Sequence, residues 1–256
     1  MLVQLKPGPN RFVLRQDTEL TTLENTKHRL ILDVSEELNV KMNVNLAVGS
    51  TLDLFCFNTS KHLISKEIYT LENAAVLNCA YGDLTQGDTT RSVMVNLLGK
   101  GAQVQLNSAT LVSANTDLRY EFSHQAQFTI GEMKNYAVMV KGGTLSLAAI
   151  GHIHTTGAFS ETHQSTRVLN LEGSQKATVY PHLLIDHNEV QASHATSTGQ
   201  MDDEHLYYLQ SRGLSETQAI RLMVKGYLSS VTDNITDDAL KALILQQIDQ
   251  KVEELC

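Results

Sequence analysis

Between about Leu30 and Gly199, apolar and polar residues alternate in short runs. Leu38, Val40, Met42, Val44, Leu46 and Val48 take every second position, the period-2 signature of a strand with one buried face. Leu52, Leu54 and Cys56 continue the pattern past Gly49-Ser50, and Leu118-Arg-Tyr-Glu-Phe122 and Leu145-Ser-Leu147 repeat it. Helix-period segments are missing from this stretch, and proline occurs only at Pro7, Pro9 and Pro181.

Several of these strands are entered through glycine. Gly49-Ser-Thr-Leu-Asp-Leu, Gly101-Ala-Gln-Val-Gln-Leu and Gly143-Thr-Leu-Ser-Leu share one form, but their starts lie 52 and 42 residues apart. No fixed period emerges, so a regular solenoid does not follow from spacing alone. Tight hairpin signals are rare, with Gly87-Asp88 the nearest equivalent. Many short strands without hairpins suit a parallel β-helix, whose rungs stack through corners. A β-sandwich is the alternative that periodicity leaves open.

After Gly199 the pattern changes to helices. Asp202-Asp-Glu places negative charge in a first turn, where the helix dipole favours it. Leu206, Tyr207, Tyr208 and Leu209 supply apolar positions, Arg212 falls in the last turn, and Gly213 suits the residue that ends the helix. Ser215-Glu-Thr-Gln218 is a capping-box pattern, followed by Ala219, Ile220, Met223, Val224 and Tyr227 at helical spacing. Thr236-Asp-Asp opens a third helix with a stripe of Leu240, Leu243, Ile244, Ile248 and Val252. The chain therefore divides into a β core over residues 1–199 and a small helical domain over 200–256. With no Gly/Ser linker between them, the helices are expected to pack against the end of the β part.

Charge and length narrow the function. The 256 residues carry 20 Lys+Arg against 28 Asp+Glu, a net −8, which argues against a nucleic-acid partner because phosphate binding needs concentrated basic residues. Residues 201–256 hold 5 Lys+Arg and 10 Asp+Glu, so the acidity concentrates in the helices, as solvated surface or as a docking face for a basic partner. No apolar run reaches the ~18–20 residues of a membrane helix. Met1-Leu-Val-Gln-Leu-Lys lacks the form of a secretory signal, and a cytoplasmic location is expected. Cys56, Cys79 and Cys256 form no CxxC or zinc spacing and read as two small buried hydrophobes and a terminal thiol.

Histidine is the most prominent reactive residue. Seven of ten fall between 152 and 205. His152-Ile-His154 puts two imidazoles on one strand face, a workable metal geometry. With Glu161 the set resembles a cupin pattern, but Glu161 comes seven positions after His154, beyond the cupin spacing, and the second cupin motif is missing. His194, flanked by Ser and Thr, sits where strands give way to helices. No GxGxxG, Walker A or GxSxG sequence is present. Zero Trp and 14 aromatics fit poorly with a β-helix enzyme acting on polysaccharide, which needs aromatic sugar platforms.

The run from Pro181 through Ile185, Val190, Ser193-His194-Ala195-Thr196, Gly199, Asp202, Leu206-Tyr-Tyr-Leu209 and Ser211-Arg-Gly213 resembles the SufB/SufD family, the non-ATPase subunits of the SUF iron–sulfur cluster assembly machinery. Within the family the landmarks are similar to SufD. SufB has an essential cysteine upstream of this point, where this chain has Gly173-Ser-Gln-Lys176. The family's glycine after the motif histidine is Ala195 here. Family members are usually longer and begin with a helical domain, so this chain looks like a short form without it.

The resemblance implies a mainly β fold, a right-handed parallel β-helix followed by a small C-terminal helical domain. It implies a non-catalytic scaffold subunit that pairs with a SufB-like subunit or a second copy of itself and binds a SufC-type ABC ATPase. The family histidine corresponds to His194, which becomes the candidate cluster-assembly ligand and the candidate metal residue. A transient iron–sulfur cluster in the complex is implied, with no cofactor held tightly by the chain alone. The implied ATPase-docking region carries Tyr208, Arg212, Gly213, Ala219 and Tyr227. The alternative from the residues themselves is a His-rich, cupin-like metalloprotein using His152 and His154. A purely structural β-solenoid is a third class.

Overall fold

The computed structural model describes residues 2–85, 87–171, 175–232 and 238–255, and for Ala239, Leu240, Glu254 and Leu255 it describes the backbone only. Gly173 and Ser174, Thr236 and Asp237, the Leu240 side chain and Cys256 lie outside the described parts. No described helix is long and apolar enough to cross a membrane.

Strands alternate between two sheets as the chain winds. One sheet holds β1 (Leu2–Gln4), β3 (Thr18–Thr21), β5 (Leu38–Leu46), β7 (His62–Leu71), β9 (Asp88–Leu97), β11 (Asn115–His124), β13 (Thr144–Ile153) and β15 (Lys176–Ile185) in that order. The other holds β2 (Gly8–Val13), β4 (Lys27–Val34), β6 (Thr51–Asn58), β8 (Val76–Asp83), β10 (Gln103–Val112), β12 (Ile130–Met139), β14 (Glu161–Asn170) and β16 (Gln191–Gln200). Every pairing within each sheet is parallel, from β1–β3 to β14–β16. The architecture is a parallel β-solenoid of about seven turns, and the β-sandwich alternative falls away.

The register explains why no period showed in the sequence. In the second sheet Lys27, Thr51, Val76, Gln103, Ile130, Glu161 and Gln191 stack as partners, so successive rungs take 24, 25, 27, 27, 31 and 30 residues. The corner that feeds this sheet is nonetheless constant. Two residues before β4, β6, β8, β10, β12 and β14 stand Asn25, Gly49, Ala74, Gly101, Phe128 and Phe159, all at positive φ. The Asn25 N–H donates to the Val48 carbonyl, Gly49 to Asn73, Ala74 to Lys100, Gly101 to Gln127 and Phe128 to Ala158, at 2.9–3.1 Å. Glycine adopts this backbone freely, and a bulky residue does so rarely. Val48, expected on a strand, sits in this corner and is exposed, because the chain turns at Gly49.

Inward residues of both sheets form one core, including Leu30, Leu54, Val95, Leu118 and Leu147. Within it lies a charged cluster. The fully buried Arg91 guanidinium pairs with Asp83 (2.7 and 3.1 Å) and Glu67 (2.5 Å). Tyr69 and Tyr81 donate to the other Glu67 oxygen at 2.9 and 2.7 Å, and Tyr81 also places its ring 4.6 Å from the guanidinium. Burying a charge is costly unless it is paired and hydrogen-bonded, and here every charged group has a partner.

The helices cover the second sheet. After α1 (Asp203–Ser211) come α2 (Glu216–Ser229), a 3-10 turn over Ser230–Thr232, and α3 (Asp238–Leu255). Val224, Leu228, Val231, Ile244, Ile248 and Val252 pack on Phe55, Phe57, Ala80, Ala109, Leu111 and Val138, the outward residues of β6, β8, β10 and β12. The Tyr227 ring meets Tyr136 edge-on at 5.9 Å, and Asn107 donates to the Val231 carbonyl at 3.3 Å. The expectation that the helices pack against the end of the β part is corrected: they lie across its middle. The reason is legible in β6, β8 and β10, whose latter halves are buried on both faces.

Candidate functional site

The last turn of the solenoid differs from those before it. In β14 the inward side chains Thr162, Gln164, Thr166 and Val168 are buried. Their partners one rung on are Ala192, His194, Thr196 and Thr198 of β16, and every residue of β16 is exposed. No strand pairs beyond β15 or β16 among the described residues, so each is the edge of its sheet. Pro181 in β15 agrees with that, since proline is tolerated at a sheet edge.

His194 therefore points along the solenoid's inner wall where that wall opens. Among the described residues its imidazole makes no hydrogen bond. The frame around it is held from β14: Gln164 donates to the His182 carbonyl at 3.0 Å, bridging the two sheets, and His163 bonds the Ser193 hydroxyl at 2.7 Å on the outer face. The edge is ten residues long, Gln-Ala-Ser-His-Ala-Thr-Ser-Thr-Gly-Gln, without one charged side chain. Natural edge strands are usually protected from other chains by charge, bulges or shortness; β16 has no charge and is among the longest strands.

The chain leaves β16 directly into α1. Asp202 caps it by accepting from the Glu204 N–H, and Gly213 ends it at φ +95°. None of its residues is buried, and Tyr207 and Tyr208 are 74% and 54% exposed. Arg212 stacks on the Tyr208 ring at 5.1 Å. Tyr208, Arg212 and Gly213 thus form one exposed group. The capping box at Ser215 and Gln218 starts α2, whose Ala219 is fully buried, while Tyr227 packs inward on Tyr136.

His152, on the outer face of β13, and His154, just past its end, are neighbours with ring centroids 3.7 Å apart. Burial lowers the pKa of His154, His152 lowers it further, and Asp186 opposes the change. Glu161 is not with them: it begins β14 in the other sheet and lies 3.8 Å from His163. The all-parallel wall is also not the antiparallel barrel of a cupin. The third group beside the pair is Asp186, 2.8 Å from His152, which sequence spacing did not single out.

Sequence reasoning also missed two interior features. The Arg91 cluster draws its charges from three strands, Glu67 in β7, Asp83 in β8 and Arg91 in β9. His124, fully buried at the end of β11, bonds Thr129 at 2.8 Å, and burial, followed by His154 and His152, lowers its pKa to about 4. Cys56 and Cys79 are free and buried, as expected of small hydrophobes. Burial pushes the Cys56 thiol up to about 12 and Cys79 well above its usual range, so both stay protonated and unreactive near neutrality.

Comparison with known proteins agrees with this arrangement. The family description "SUF system FeS cluster assembly, SufBD core domain" matches residues 10–227. The iron–sulfur cluster assembly protein SufD of Bacillus subtilis is 31% identical over 173 residues, 68% of this chain and 36% of the relative. SufD of Escherichia coli is 21% identical over 247 residues, 93% of this chain and 57% of the relative. An iron–sulfur cluster assembly SufBD family protein of Mycobacterium leprae is 35% identical over 101 residues, 39% of this chain and 26% of the relative. The chain spans between about a quarter and just over half of the length of these relatives. On the solenoid and on the match across most of its length, the chain belongs to the SufB/SufD family.

Proposed function

We propose that this chain is a non-catalytic scaffold subunit of a cytoplasmic iron–sulfur cluster assembly complex. Its last rung pairs edge to edge with a SufB-like subunit or a second copy of itself, and its helices receive a SufC-type ABC ATPase. The observation that carries this reading is β16: ten exposed, charge-free residues at a sheet edge, with the inward His194 in their midst. A strand added there satisfies the open backbone donors and acceptors and places His194 inside the joint. Imidazole is a suitable iron ligand and the thiolate of a partner is the usual cluster ligand. The cluster is cargo held transiently between chains.

The exposed Tyr208–Arg212 stack follows β16 with only a short connection, so force applied by a docked ATPase at α1 reaches the edge strand directly. Nucleotide-driven movement of the ATPase would strain the joint and open it to iron and sulfur. Family membership and the SufD relatives support the assembly role.

The test is co-expression with the host's SufC-type ATPase, followed by light scattering of the purified species. A complex heavier than the 28.3 kDa chain, lost in a Tyr208→Ala/Arg212→Ala variant, is the expected result. Recovery of the chain alone contradicts ATPase docking. His194→Ala should retain the ATPase and impair cluster maturation; unimpaired maturation removes His194 from the mechanism.

A further inference from the structure

His152, His154 and Asp186 form a compact donor set on the outer wall that includes no residue of β16. His152 is the next-to-last residue of β13 and His154 follows its end, two positions on, so both imidazoles leave the same outer face. Asp186 follows β15, one rung further on, and its N–H donates to the Ile153 carbonyl at 2.9 Å, which fixes the carboxylate beside the pair. Donor atoms from all three residues lie within 4.8 Å of one another. Asp186 Oδ2 and His152 Nε2 are 2.8 Å apart. Two donors each about 2.0–2.2 Å from one ion stand about 3 Å from each other, so this edge of a coordination sphere needs little adjustment.

A second layer supports the first. From β11, on the other side of β13, the Ser123 hydroxyl bonds His154 Nε2 at 2.9 Å, and Gln125 donates to that hydroxyl at 3.1 Å. Three successive rungs of one rigid sheet therefore hold the group, the orientation that metal-binding histidines depend on. The side chains of His152 and Asp186 are 24% and 49% exposed, which leaves room for water or another ligand on the solvent side.

We propose that His152, His154 and Asp186 bind a first-row divalent transition-metal ion, with solvent completing its coordination. Two imidazoles and one carboxylate suit zinc, cobalt, nickel or ferrous iron and are a poor match for magnesium or calcium, which prefer all-oxygen sites. The site lies on the outer wall, where Asp186 follows the edge strand β15, and it includes neither His194 nor any residue of β16, so it stands or falls independently of the scaffold role.

Cobalt(II) titrated into the metal-free full chain, followed by visible absorption and equilibrium dialysis, tests the proposal. One equivalent with ligand-field bands should bind, and His152→Ala/His154→Ala should weaken that equivalent about 100-fold or more, beyond what loss of an outer-shell partner does. Asp186→Asn, at an exposed position that leaves folding intact, should weaken it about 10-fold on the same scale. His194→Ala should leave it unchanged. Binding that survives both the double variant and Asp186→Asn, binding that follows His194 instead, or no stoichiometric binding to wild type overturns the proposal.

Discussion

His124 and His194 both point inward from the solenoid wall, and their fates differ. His124 ends β11, with β9 and β13 on either side, and is fully buried against Thr129. His194 has β14 on one side and nothing on the other among the described strands, and it is exposed. Residue type and facing are the same. What differs is whether another rung closes the wall. A parallel stack buries each rung only by adding the next, so its terminal rung presents interior groups to whatever arrives there. The closed part of the wall supplies stability and the open rung supplies an interface.

The largest effect expected from this contrast is in the closed rungs. Arg91→Leu leaves the buried Asp83 and Glu67 carboxylates without their counter-charge and should cost ~3–5 kcal/mol, read from urea unfolding. A cost under ~1 kcal/mol would place water, not Arg91, as the carboxylates' main partner.

The second effect is pH-dependent. The folded pKa of His124 is lowered to about 4 from 6.5, so the unfolded chain binds more protons between those values. The contribution of His124 is fully present above about pH 6.5 and is lost as pH falls towards about 4, up to about 3 kcal/mol in all. Wild type should destabilise through that window, and His124→Gln should flatten the slope. Parallel slopes for the two proteins would mean that His124 is not held neutral.

The open rung should behave oppositely. Thr196→Lys puts a charge into the β16 edge and should change stability by no more than ~0.5 kcal/mol, yet abolish association with a partner strand, as edge charges do. Light scattering decides it, and an unchanged assembly would remove β16 from the interface. His194→Ala should have the smallest effect on folding, again within ~0.5 kcal/mol. A loss as large as that from Arg91→Leu would erase the distinction between the rungs.

The first helix and the start of the second were readable because each carried local chemistry: Asp202, Gly213 and the Ser215–Gln218 box act within one turn of their own positions. Strand alternation was readable for the same reason. The rung repeat was hidden because four of its six corners are filled by Asn25, Ala74, Phe128 and Phe159 in the conformation that glycine advertises, and because the rung lengthens from 24 to 31 residues. His194 was singled out by the family motif, while its opening at the last rung required the strand order. Asp186 joins His152 across 34 residues, and Arg91 joins Glu67 across 24. Such partners are set by rung length, which the local pattern does not report. The seat of α2 and α3 was visible only in retrospect, in strand halves buried on both faces.

Amide hydrogen exchange over residues 191–200, compared between the chain alone and the chain in its purified assembly, tests the central claim most directly. The account predicts fast exchange at open β16 positions in the free chain and strong protection there in the assembly, with β10 and β12 unchanged. An assembly that forms while β16 exchanges as it does in the free chain would contradict pairing through the last rung.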